Sequence, residues 1–152
     1  MPKRVTTLLF LVVGATVAQA DVRQDCVQSQ DSQTKIEACT AIIQIDPQAA
    51  WAYNNRGNAY SAMADRSRAI ADYGRAIEIS PRFAMSYYNR CGEYKAVGRN
   101  DLAMDDCTAA IELDSEYAMA YVARAGIYAD KGESARAIAD LDRAIAIDPN
   151  NA

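Results

Sequence analysis

The chain has 152 residues, 24% of them charged, with a formal net charge of −4 and no histidine. An acidic balance without a basic cluster repels phosphate backbones and offers anionic headgroups little to hold, which argues against nucleic acid or a lipid surface as the ligand. The absence of histidine, of Gly-x-Ser-x-Gly and of a glycine-rich phosphate loop argues against an enzyme, and no motif calls for a cofactor or a metal.

Residues 1–20 read as a cleaved signal peptide. Lys3 and Arg4 form a short positive start, residues 5–13 are apolar apart from Thr6 and Thr7, and Ala18-Gln19-Ala20 has the small-x-small pattern of a cleavage site. The apolar stretch is too short to cross a bilayer of about 30 Å as a stable helix, so no membrane insertion is expected after cleavage. A buried first helix would explain neither the basic start nor the Ala-Gln-Ala end. Cys26 lies six residues beyond Ala20, which argues against a lipid anchor at the cleavage point. The mature chain is then expected to begin at Asp21, and losing two positive charges takes its net charge from −4 to −6. Its destination is an oxidising compartment, periplasmic or secreted.

A period of 34 residues organises the rest. It carries Tyr53 to Tyr87 to Tyr121, Tyr60 to Tyr94 to Tyr128, and Ala69 to Ala103 to Ala137. Ala76, Ala110 and Ala144 follow the same step, as do Pro47, Pro81 and Pro149 with Ser115 in the intervening slot. Each unit reads as two helices. Tyr53, Arg56, Gly57 and Tyr60 keep the i, i+3, i+4, i+7 rhythm of one helical face. A turn near Ala64-Asp65 follows, with Gly98-Arg99 and Gly132-Glu133 in its place later, where glycine accepts positive φ. Ala69, Ile70, Tyr73, Ala76 and Ile77 mark the second helix, which stops before Pro81. Nothing alternates with period two.

These columns, Tyr53…Arg56-Gly57…Tyr60…Ala69…Tyr73…Ala76…Pro81 and their two successors, resemble the tetratricopeptide repeat family. The resemblance implies an all-α, right-handed superhelical solenoid of antiparallel helix pairs. Residues 21–49 form a truncated first repeat in this reading, and 50–83, 84–117 and 118–152 are full ones. The family binds diverse partners, so the expected function is that of a non-catalytic adaptor holding a protein or peptide segment in a concave groove. Carried over from the family, the first helices line that groove with Asn54, Asn58 and Ser61, then Tyr88, Gly92 and Lys95, then Val122, Gly126 and Asp130. The clamps of this family that grip a terminal carboxylate use several lysines and arginines; Met119, Val122 and Ala123 stand in their way here. Asparagines suit a peptide backbone equally as recognition groups or as plain solvated positions.

Two departures from the family pattern stand out. Arg56, Arg90 and Arg124 occupy a usually aliphatic column, and each is followed sixteen residues later by an aspartate, Asp72, Asp106 and Asp140. The favoured reading is one inter-helix ion pair repeated three times; the alternative is an arginine row for anions. Cys26, Cys39, Cys91 and Cys107 lack metal-ligand spacing. In the repeat register, Cys26 faces Cys39 and Cys91 faces Cys107, which favours two intra-hairpin disulfides over four buried thiols. Asp105 beside Asp106 reads as solvent-facing, because helix neighbours point about 100° apart. The second helix of the last repeat, 136–147, carries Ile138, Ala139, Ile145 and Ala146, so self-association into a homo-oligomer through this helix is the alternative function.

Overall fold

The computed structural model describes residues 21–149, and the expected signal peptide lies outside them. Eight helices in four antiparallel pairs make up the described residues, with no strand among them. The described part of helix α1 spans residues 21–28 and pairs with α2 (Ser32–Ile45). The full repeats follow as α3 (Ala50–Ala62) with α4 (Arg66–Ile79), α5 (Ala84–Ala96) with α6 (Asn100–Leu113), and α7 (Ala118–Asp130) with α8 (Ser134–Ile147). The all-α expectation and the 34-residue phasing both hold.

The turns inside the hairpins share one geometry. The first helix of each full repeat ends with Ala64, Gly98 or Gly132 in the left-handed region, at φ of 59°, 75° and 77°. The next residue, Asp65, Arg99 or Glu133, donates its N–H back to the carbonyl of Tyr60, Tyr94 or Tyr128, each at 2.9 Å. This closes the orphaned carbonyls of a helix C-terminus. Asp65 also caps α4, accepting the Arg68 N–H at 3.1 Å. Between repeats, Asp46, Ser80 and Asp114 leave the helical region at φ of −128°, −130° and −142°. Asp114 does so with Ser115 after it rather than proline, so proline supports this helix end without being required for it.

Within each hairpin the helices meet at the same pair of columns, filled in different ways. In the first full repeat a Cβ on Gly57 would fall 2.6 Å from the Tyr73 ring, so the ring lies flush against the glycine backbone. The next repeat replaces that contact with a disulfide between Cys91 and Cys107, S–S 2.03 Å. The last has Ala125 and Leu141 in those positions. The truncated repeat is closed by the Cys26–Cys39 disulfide, S–S 2.06 Å, one helical turn away on the first helix. Both expected pairings are present, and all four sulfurs are buried. The small column Ala69, Ala103 and Ala137 is buried as expected.

The arginines pair with the aspartates as the sixteen-residue spacing suggested. Each donates Nε and Nη2 to the two oxygens of Asp72, Asp106 or Asp140, at 2.7 to 2.8 Å. The aspartate side chains are 8–10% exposed and the arginines 17–20%, so these are half-desolvated, bidentate pairs rather than surface decoration. The tyrosine columns do more than fill space. Arg56 lies over Tyr53 and Tyr60, Arg90 over Tyr87 and Tyr94, and Arg124 over Tyr121 and Tyr128, at 5.5 to 6.0 Å from each ring centre. The spare Nη1 reaches the preceding repeat, bonding Thr40 from Arg56 at 3.0 Å and Thr108 from Arg124 at 3.4 Å. Gly74 occupies that column before Arg90 and offers no hydroxyl.

Curvature follows from which helices touch. The first helices contact one another across repeats, α3 with α5 and α5 with α7, whereas α4 and α6, or α6 and α8, do not. The first helices therefore follow the tighter radius and line the inner face of the array.

Candidate functional site

On that inner face, α3 and α5 enclose a cavity of about 380 Å³, open to solvent, with Ala123 of α7 at its far rim. Four of the expected groove residues converge here: Asn58 and Ser61 from α3, Tyr88 and Gly92 from α5. Asn58 accepts from the Tyr73 hydroxyl at 2.8 Å and from Asn89 Nδ2 at 3.0 Å. Ser61 donates to Glu93, whose other oxygen accepts from Arg66 at 3.0 Å. Tyr88 contributes its ring to the wall while resting on Tyr117, centroids 5.0 Å apart. Gly92 is exposed, and a Cβ there would meet no atom within 4 Å. The inner surface at Gly92 is open.

The other expected residues sit elsewhere. Asn54 does not line the groove. It is 2% exposed and accepts from Ser86 and Asn89, both at 3.0 Å, while its own amide approaches Met85 Sδ at 3.8 Å. It ties α3 to α5, because an amide pointing between helices must find partners there. Lys95, Gly126 and Asp130 form a neighbouring patch in which Lys95 Nζ stands 3.5 Å from Asp130 Oδ2. The expected free space at Gly126 is taken, since its Cβ would fall 2.5 Å from Lys95 Nζ. Val122 belongs to a separate apolar hollow of about 360 Å³ with Met119, Leu141, Ala144 and Ile145.

Besides Ala62 and Ala123, three larger polar pocket residues escaped the sequence reading: Tyr73, Asn89 and Glu93. Tyr73 comes from the second helix, and its burial, with the Glu93 carboxylate nearby, pushes its phenol well above its usual value. Glu93 is 6% exposed, an acid in a column where the other full repeats have Ala59 and Ile127. That polar intrusion into an apolar column was the available signal. The pocket thus presents amides, hydroxyls, an aromatic face and one carboxylate already held by Arg66 and Ser61, a set suited to hydrogen bonding rather than to bond-breaking.

Residues 50–83 and 118–151 each match a family model described as tetratricopeptide repeat. Among solved structures, MamA is 23% identical with a TM-score of 0.73, over 79% of this chain and 70% of that one. The second TPR of Spaghetti (RPAP3), bound to the HSP90 peptide SRMEEVD, is 28% identical with a TM-score of 0.65, over 69% of this chain and 97% of that one. The first TPR of the same protein, bound to the same peptide, is 26% identical with a TM-score of 0.66, over 69% and 83%. No curated protein matches the chain in sequence. The fold is an all-α tetratricopeptide-repeat array.

Proposed function

We propose that this chain is an exported, non-catalytic adaptor that holds an extended segment of a protein or peptide partner in its inner groove. The preformed cavity between α3 and α5, with open space over Gly92, carries this reading. The peptide-bound Spaghetti repeats support it, because similar arrays hold a peptide as their partner. Export to the periplasm or beyond rests on the segment 1–20 and agrees with four cysteines paired in two disulfides.

The obvious double variant, alanine at Asn58 and Tyr88, would also disturb packing, since Asn58 anchors Tyr73 and Tyr88 supports Tyr117. Gly92→Leu is the cleaner probe. Leucine favours the helix by up to about 1 kcal/mol over glycine while filling the groove. Crosslinked partners recovered from the native envelope with the unaltered chain should be lost with Gly92→Leu at an unchanged or higher melting temperature. Retention of the same partners by the variant would move recognition away from this groove.

A second reading rests on the apolar surface of the last repeat. Ile138, Leu141 and Ile145 are 41–58% exposed beside the hollow at Met119 and Val122. Self-association through α8 would cover them, and light scattering behind size exclusion distinguishes a monomer from a dimer at once.

A further inference from the structure

A hollow of about 490 Å³ lies at the first hairpin, walled by α1, α2 and the start of α3. It shares no lining residue with the groove cavity between α3 and α5. Val22, Ala41, Ile42, Ile45 and Trp51 make its walls apolar. Val22, Ile42 and Trp51 pack on the core around the Cys26–Cys39 disulfide, which joins α1 to α2. Two walls are therefore tied together before anything binds, and a preorganised site spends less of a guest's affinity on ordering. Size and lining both fall in the range of small-molecule sites, apolar cavities of about 300–1,000 Å³ with a few polar groups.

Two of its residues depart from the repeat. The column Ile45, Ile79, Leu113 and Ile147 is partly buried in the full repeats, yet Ile45 is 72% exposed. Arg23 stands in the column that later holds Gly57, Cys91 and Ala125, a large cation where the other hairpins use small residues. Arg56, Arg90 and Arg124 are each bound to an aspartate, whereas Arg23 forms no ion pair among the described residues. Its guanidinium lies over Trp51 instead, 4.8 Å from the ring centre, with N–H donors left for a guest. A guest cation would find that aromatic face already taken by a like charge, while a guest anion meets the guanidinium. Asp46, the other charged group of the hollow, accepts the Gln48 N–H at 3.0 Å and disfavours a second acid group on the guest.

We propose that this hollow is a second binding site, one for a small amphiphilic monocarboxylate. The alkyl chain lies on Ile42, Ile45 and Trp51, and the carboxylate is held by Arg23. The site is independent of the groove reading above, because neither its walls nor its cation take part in the groove.

Trp51 is the chain's single tryptophan and stands in the wall, so its emission reports occupancy directly. The test titrates the chain purified from its native host, both disulfides closed, with straight-chain carboxylates from hexanoate to dodecanoate below their micelle concentrations. Calorimetry follows the same titrations. Each added methylene should tighten binding about fourfold until the hollow is full, the factor for burying one CH₂ group. Alcohols and trimethylammonium ions of equal chain length should bind about tenfold more weakly, having no charge-assisted bond to Arg23. Arg23→Gln should bring the carboxylates down to the level of the alcohols and leave the alcohols unchanged. Ile45→Ser, at an exposed position, should weaken the whole series at an unchanged melting temperature. Gly92→Leu, which fills the groove, should leave carboxylate binding as it is. No heat and no change in Trp51 emission across the series overturns the proposal, as does equal binding of carboxylate, alcohol and ammonium. Carboxylate binding that survives Arg23→Gln undiminished, or that Gly92→Leu abolishes, places the guest elsewhere and overturns it too.

Discussion

Arg90 grips Asp106 through two parallel hydrogen bonds, and its guanidinium lies between the rings of Tyr87 and Tyr94. The carboxylate is buried in the hairpin, with its side chain 8% exposed, so it depends on this one arginine for its charge balance. Arg90→Leu would leave Asp106 buried and unpaired and withdraw a cation from two aromatic faces. The expected cost is about 3 kcal/mol, within the range for breaking one side of a desolvated pair. Chemical denaturation followed by circular dichroism measures it. A loss below about 1 kcal/mol would instead mark the pair as a solvent-screened surface contact.

Ala64 stands where the two later repeats use glycine, and it holds the same left-handed conformation at φ 59°. A Cβ makes that region costlier by about 1–2 kcal/mol per residue. Ala64→Gly should therefore stabilise the chain by about 1 kcal/mol, and Gly98→Ala or Gly132→Ala should destabilise it by a similar amount. The three melting curves form a self-contained check, because the turns share their hydrogen bonds.

The repeat, its hairpins, the ion pairs and the disulfides were legible because each is a relation inside the chain's own period. Arg56 to Asp72 is a spacing, and a spacing recurs. The groove was legible only in part. Helical phasing places Asn54 and Asn58 on neighbouring stretches of one face, yet Ser86 and Asn89 of the next helix decide that Asn54 is buried and Asn58 is not. Whether Gly126 opens a space depends on where the long Lys95 side chain lies, and no periodicity carries that.

Alkaline titration should expose the packing of the tyrosines. Burial, with Tyr88 alongside, pushes the Tyr117 phenol up to about 12. A folded pKa raised above the unfolded value of about 10 means the neutral form is favoured by folding. That contribution is complete below pH 10 and is lost as pH rises through about 12. Tyr73 is pushed in the same direction. Melting temperature should fall across this window, and Tyr117→Phe, which has nothing to ionise at that site, should fall less steeply. Parallel profiles for the two proteins would mean that Tyr117 ionises equally well folded and unfolded.

The two disulfides should matter differently, because a repeat array shares stability only between neighbours. Cys91–Cys107 joins α5 to α6 in the middle, inside a cluster with Ala103 and Ile127 that spans two repeats. Cys26–Cys39 ties α1 to α2, packed with Val22, Ile42 and Trp51. Each closes a short loop and should contribute about 3 kcal/mol on the chain-entropy model. Replacing Cys91 and Cys107 by alanine should lower the main unfolding transition as a whole. Replacing Cys26 and Cys39 should leave that transition nearly in place and instead raise amide exchange in residues 21–28, which this disulfide joins to α2. Hydrogen exchange by mass spectrometry separates the two outcomes. Equal loss of protection along the whole chain from the Cys26 and Cys39 replacements would show that α1 is coupled to the entire array rather than to α2 and α3 alone.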